Sequence, residues 1–181
     1  MKIPEKRRGF GAKQIALVAI MAATMSCGKL ALAVFPNIEV VMLLCALYGY
    51  VFGFYGVAAA AVFVCIEPLI YGIGSWMLTY FLFWPGVALI FMLFAKMNVK
   101  KRMIFTLVAI GLSIAFGMLS ALIDIAFMTG VNSYYFSNVI IYYIRGLGFD
   151  TVHVISNGIV FITLFPFLQK KLDQIKKMYA I

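Results

Sequence analysis

The sequence predicts an all-α integral membrane protein, a compact bundle of six transmembrane helices with both termini in the cytoplasm. Three observations lead there. Of 181 residues, 65% are hydrophobic and only 12% charged, whereas a soluble domain is nearer half apolar and a quarter charged. Too few polar side chains remain to coat a water-facing surface. Apolar stretches also recur at close to the ~20-residue length a helix needs to cross the hydrocarbon core. Finally, Lys and Arg gather in three clusters, which six spans place on one side of the bilayer.

Taken in order, the first stretch runs from Gln14 to Phe35 and stops at Pro36-Asn37. The second, Ile38 to Phe54, is short, with Gly53 near its end. The third runs from Tyr55 to Tyr71 and has Glu67-Pro68 near its far end. The fourth, Trp76 to Ala95, contains Pro85. The fifth runs from Met103 to Met128 and the sixth from Leu147 to Leu168, with Pro166 near its exit. Between these two, Thr129 to Arg145 is rich in Tyr, Asn and Ser, which predicts an outer loop with a short interfacial helix around Val139 to Ile144. The whole chain, 1–181, reads as one domain with short basic cytoplasmic tails at 1–13 and 169–181. The basic head is followed by an apolar stretch with no small-residue cleavage site before a soluble domain. The first segment is therefore expected to stay as a helix and not to be removed as a signal peptide.

The basic clusters are Lys2, Lys6, Arg7, Arg8 and Lys13; Lys96, Lys100, Lys101 and Arg102; and Lys170, Lys171, Lys176 and Lys177. They hold thirteen of the fifteen basic residues. Five or seven spans would put the last cluster opposite the first. The net charge of +9 thus signals orientation beside lipid rather than a nucleic-acid partner. Cys27, Cys45 and Cys65 lie in apolar runs and read as buried small apolar residues. With a single histidine they form no zinc pattern, so neither metal nor cofactor is expected.

The remaining ionisable groups carry the functional question, since one at a helix centre costs roughly 2.5–3.5 kcal/mol on insertion scales. Lys29, Glu39, Glu67, Asp124, Arg145, Asp150 and His153 all map to the outer half of the bundle. That pattern suggests a polar cavity open to the outside; simple pairing, as of Lys29 with Glu39 and Arg145 with Asp150, is the blander reading. Aromatic residues join them. Trp76, Tyr80 and Trp84 recur every four residues on one helix face, with Tyr71 just before. Trp76 and the loop tyrosines Tyr134, Tyr135, Tyr142 and Tyr143 also suit an interfacial belt. Trp84 lies deeper, where an indole N–H facing lipid lacks a partner, so it is expected to turn inward. Stacked rings with a few carboxylates suit a flat, polar, vitamin-sized solute. Ala12, Ala16, Ala19 and Ala23 form small-xxx-small pairs that let another helix approach closely, and Ser113, Gly117 and Ala121 do the same in the fifth segment.

The basic head, the alanine-xxx-alanine first helix, Lys29-Leu-Ala-Leu-Ala-Val-Phe-Pro-Asn37-Ile-Glu39 and Leu47-Tyr-Gly-Tyr-Val-Phe-Gly53 resemble the substrate-binding S component of an energy-coupling factor (ECF) transporter over nearly the whole chain. The resemblance implies a multi-pass protein of a prokaryotic plasma membrane that binds one vitamin or similar micronutrient on the outer side. It implies docking, through the alanine motif, onto a transmembrane coupling protein driven by two ATP-hydrolysing subunits. Ala19 and Ala23 match that motif best, with Ala12 and Ala16 as the other candidate. With the cavity that it implies in the outer halves of the helices, the candidate substrate-binding residues are Lys29, Asn37, Glu39, Glu67, Tyr71, Trp76, Tyr80, Trp84, Asp124, Arg145, Asp150 and His153. Some S components carry a Trp-Thr-x-x-Gln-like segment before the fourth helix. Here Gly74-Ser-Trp-Met-Leu-Thr-Tyr80 stands instead, leaving cobalamin, pyridoxine-type, thiamin-type and pantothenate substrates all open.

No catalytic activity is expected. The chain has no G-x-x-x-x-G-K-[ST] phosphate loop. Gly146-Leu-Gly-Phe-Asp150 departs from a Gly-x-Gly-Asp protease motif by one residue, and Asp124 lacks the expected preceding tyrosine. His153 and Ser156 are three apart on one helix, without a Gly-x-Ser-x-Gly motif. The rival from transport is a stand-alone proton-coupled carrier with Asp124 or Glu67 as proton site, but no clear internal repeat supports it.

Overall fold

The computed structural model describes residues 11–178, and they are helical almost throughout. The helices are α1 (Ala12–Ala31), α2 (Val41–Phe52), α3 (Phe54–Tyr71), α4 (Trp76–Lys96), α5 (Arg102–Thr129) and α6 (Tyr135–Met178). The basic head residues Lys2, Lys6, Arg7 and Arg8, and residues 179–181, lie outside the described residues. Five helices are long and apolar enough to cross a membrane. In the most apolar window of each, only 22–39% of the residues are buried, so most of their apolar surface faces away from the protein, as in a multi-pass membrane protein.

The sixth element behaves differently. At about 1.5 Å per residue, the 12 residues of α2 reach about 18 Å, well short of a ~30 Å hydrocarbon core. Yet ten of its residues are buried. It packs against α1, α3, α4 and α6 and is lined by protein nearly all round. The predicted second span from Ile38 is thus shortened. Residues 32–40 form a loop instead, and Glu39 folds back so that its carboxylate accepts a hydrogen bond from the Met42 N–H (2.9 Å) at the positive end of α2. Gly49 lets α2 cross α4 closely, since a Cβ there would overlap the carbonyl of Ala88. Gly53, at φ 61°, then turns the chain directly into α3, a backbone that glycine adopts freely.

The largest correction concerns α6. The predicted loop from Thr129 to Arg145 shrinks to residues 130–134. The stretch read as a short interfacial helix is the first part of a continuous 44-residue helix, which also absorbs the tail at 169–178. Tyr135, Val139 and Tyr143 recur every four residues and pack on Ala121, Leu122 and Ile125 of α5. The Tyr135 hydroxyl donates to the Leu122 carbonyl (2.8 Å). This packing outweighs the roughly 1 kcal/mol that each of Gly146 and Gly148 costs within a helix. Ser113 and Ala121 are buried, and Gly117 meets Asp150 of α6, so the small-residue stripe of α5 serves packing within the chain. Of the cysteines, only Cys45 is buried; Cys27 and Cys65 are exposed, contrary to expectation, because their helix faces point away from the core.

The helices alternate in direction. At one end, Tyr50 Oη bonds the Val99 carbonyl (2.7 Å) and Lys176 Nζ the Val51 carbonyl (2.5 Å). The described basic clusters gather there. The opposite end holds the 32–40 loop, the turn before α4 and the 130–134 loop. An aromatic core of Phe91, Phe105, Phe161 and Phe165 fills the interior of the basic half, with centroids 4.8–5.7 Å apart.

Gly49→Leu should therefore lower the thermal unfolding midpoint in detergent by several degrees, as overpacking typically costs about 1–3 kcal/mol. Gly111→Ala, whose added Cβ meets nothing within 4 Å, should leave it unchanged or raise it.

Candidate substrate-binding site

The end opposite the basic clusters holds a cavity of about 290 Å³ beneath the 32–40 loop. Seven of the twelve sequence-predicted residues line it: Lys29, Asn37, Glu39, Tyr71, Tyr80, Trp84 and His153. Phe116 of α5 closes one side.

Its cationic wall is built by α1 and α3. Lys29 Nζ bonds Glu67 Oε2. The Glu67 side chain is 1% exposed and that of Lys29 23%. Glu67 stands behind the cavity wall and fixes the lysine. Tyr71 and Tyr80 present their ring faces to the ammonium, 4.2 Å and 4.9 Å from the centroids, an attraction strengthened by the shielded setting. Lysine here pairs with Glu67, 38 residues away, and not with its sequence neighbour Glu39.

Glu39 belongs to the opposite wall. Its Oε1 accepts from Asn157 Nδ2 (3.2 Å) and meets His153 Nε2 (3.1 Å), while Oε2 caps α2. An ionised carboxylate only accepts, so this contact is a hydrogen bond in the tautomer that carries the proton on Nε2. Asn157 also donates to Ser113 Oγ (3.1 Å). Its own Oδ1 has no partner among the described residues, an exception of the kind that marks a hydration or ligand path in a buried polar network. The loop is pinned to α6 by Asn37, whose Nδ2 donates to the Phe149 carbonyl (2.5 Å) and whose carbonyl accepts from Ser156 Oγ (3.3 Å).

The third wall is aromatic. Trp76, Tyr80 and Trp84 form a row of edge-to-face contacts, with centroids 5.1 Å and 5.5 Å apart. Phe116 lies 6.2 Å from Tyr80, 5.7 Å from Trp84 and 5.7 Å from the His153 ring. Trp84 is turned inward and 3% exposed. Its Nε1 has no hydrogen-bond partner among the described residues. Trp76 is not on the cavity wall; it supports Tyr80.

Asp124, Arg145 and Asp150 lie elsewhere, in a groove of about 480 Å³ between α5 and α6. Asp124 accepts from Ser75 Oγ (2.5 Å) and from Tyr142 Oη (3.3 Å), which ties α4, α5 and α6 together. Asp150 rests against Gly117, where a Cβ would overlap its carboxylate. Arg145 and Asp150 form no ion pair with each other.

Asn157 and Phe116 escape a reading of the sequence confined to ionisable groups. Asn157 had a signal, an amide inside an apolar stretch. Phe116 had none, being one of 17 phenylalanines. Ala12, Ala16, Ala19 and Ala23 of α1 are exposed, while Val18, Met21, Ala22 and Met25 face the core. The stripe therefore looks away from the bundle. Comparison with protein-family models, with curated proteins and with solved structures returned no match.

Glu67→Gln should destabilise the protein by about 3 kcal/mol, since it leaves a largely desolvated ammonium unpaired. The double variant Lys29→Met/Glu67→Leu should recover most of that loss in thermal unfolding, and the size of the recovery measures the coupling.

Proposed function

We propose that this chain is the membrane-embedded substrate-binding component of an ECF-type importer, capturing a vitamin-like micronutrient from outside the cell. The observation that carries this reading is the cavity's placement and lining. It opens at the end opposite the basic loops, and its walls join an aromatic row, a fixed ammonium and a carboxylate–histidine pair. In this reading the positive-inside rule favours a cavity on the outside and both termini in the cytoplasm, and the sequence resemblance favours six segments in the bilayer of a prokaryotic plasma membrane. The aromatic faces take a flat ring, and Lys29, Glu39 and His153 orient its polar edge.

The outward-facing alanines support the second half of the proposal. Small side chains allow a neighbouring helix to approach closely in lipid, and Ala12, Ala16, Ala19 and Ala23 are exposed on this chain. Together with the sequence resemblance, they favour docking on a transmembrane coupling protein served by two ATP-hydrolysing subunits. The chain itself performs no catalysis in this account. A proton-coupled carrier is less well supported. Glu67 has a fixed cation and Asp124 two hydroxyl donors, so neither is poised to exchange a proton during a transport cycle.

A panel of water-soluble vitamins titrated against the protein in nanodiscs should yield one ligand. Trp84→Ala should weaken its binding by at least about tenfold, the loss of a buried aromatic contact. No binding across the panel would contradict the proposal. Ala19→Trp or Ala23→Trp should abolish ATP-dependent uptake in cells while leaving binding by the purified protein nearly unchanged. Equal loss of both would contradict the docking role.

A further inference from the structure

The cavity beneath the 32–40 loop and the groove between α5 and α6 share one wall. Phe116 lines both. The other partition is the bond from Asn37, on the first cavity, to the carbonyl of Phe149, on the groove. Phe116 and this hydrogen bond stand between the two spaces. The first cavity alone, at about 290 Å³, sits at the lower edge of the ~300–1,000 Å³ range of small-molecule sites. Joined to the groove's 480 Å³, it falls well within it.

Charge and pairing differ between the two parts. In the first, Lys29 is neutralised by Glu67, and Glu39 is satisfied by three donors. In the groove, Asp150 makes no hydrogen bond or ion pair among the described residues, although it is partly shielded and pressed against Gly117. Asp124 has only neutral hydroxyl donors. Around both spaces stand four of the chain's six acids but only two of its fifteen basic residues, Lys29 and Arg145. Such a field attracts cations and repels phosphates and carboxylates. Trp84, nearly buried and with its indole N–H unpartnered among the described residues, adds an aromatic ring that attracts cationic groups.

We propose that the two spaces form one bipartite site, closed between by Phe116, for a solute with a flat ring in the first cavity and a positively charged second part against Asp150 and Asp124. This rests on the substrate-binding reading above and narrows its ligand to one class.

The chain's two tryptophans, Trp76 and Trp84, both lie in the aromatic row, so intrinsic fluorescence reports arrival of a ligand. The protein would be titrated in phosphatidylglycerol nanodiscs, whose lipid has no ammonium to occupy the groove. The cationic probes are thiamin, pyrithiamin and N-benzylpyridinium. The anionic probes are pantothenate, nicotinate and pyridoxal 5′-phosphate, and nicotinamide serves as a neutral single ring. At least one cation should bind about tenfold or more tightly than every anion. Asp150→Asn should weaken that cation about tenfold, the loss of a charge-assisted contact, and leave nicotinamide binding and the unfolding midpoint unchanged. The inference is overturned if no cation binds, if an anion binds as tightly, or if Asp150→Asn affects nicotinamide and the cation equally. ATP-driven uptake of an anion would overturn it too, while leaving the transport proposal standing.

Discussion

The ion pair between Lys29 and Glu67 is the constraint around which this end of the molecule is arranged. Glu67 is almost fully buried, and a carboxylate in that position is tolerated only with a matched cation. That requirement binds α1 to α3. It also holds the lysine over the faces of Tyr71 and Tyr80, which brings α4 into the same cluster. Glu39, only partly buried, is compensated by other means, a helix N-terminus, an amide and an imidazole, and so draws α2 and α6 together. A space with polar walls is what remains between these two compensated charges.

The interior is filled unevenly for the same reason. Phenylalanines close the half nearest the basic loops, and among the described residues the buried Glu67 and His153 both lie toward the other end. Toward the other end, polar groups need geometry that close packing does not supply, and the short α2 leaves room above its N-terminus. The loop that covers this room is fastened to α6 through Asn37 and Ser156. Its bonds are exposed or partly so, and they are the ones that can open without disturbing the core.

Much of this was legible in the sequence. Composition and the spacing of apolar stretches identified six helical elements, and the deep position of Trp84 foretold its inward turn. The gathering of Lys29, Glu39, Tyr71, Tyr80 and His153 followed from their common depth. Other features were hidden for physical reasons. The continuity of α6 was obscured because Thr129 to Arg145 is rich in Tyr, Asn and Ser and reads as a loop holding only a short helix, whereas packing of Tyr135, Val139 and Tyr143 on α5 joins that helix to the sixth segment. The shortness of α2 depends on Glu39 capping it, a tertiary event. Which cation neutralises which acid depends on the helix arrangement, so Lys29 finds Glu67 rather than the nearer Glu39. The division into a cavity and a groove turns on Phe116, indistinguishable in sequence from its fellows.

Native mass spectrometry of the protein released from nanodiscs, before and after incubation with a mixture of water-soluble vitamins, tests the central claim most directly. The account predicts a single small-molecule adduct in one-to-one ratio. Only the bare protein mass under both conditions would mean that the polar chamber serves the helices alone.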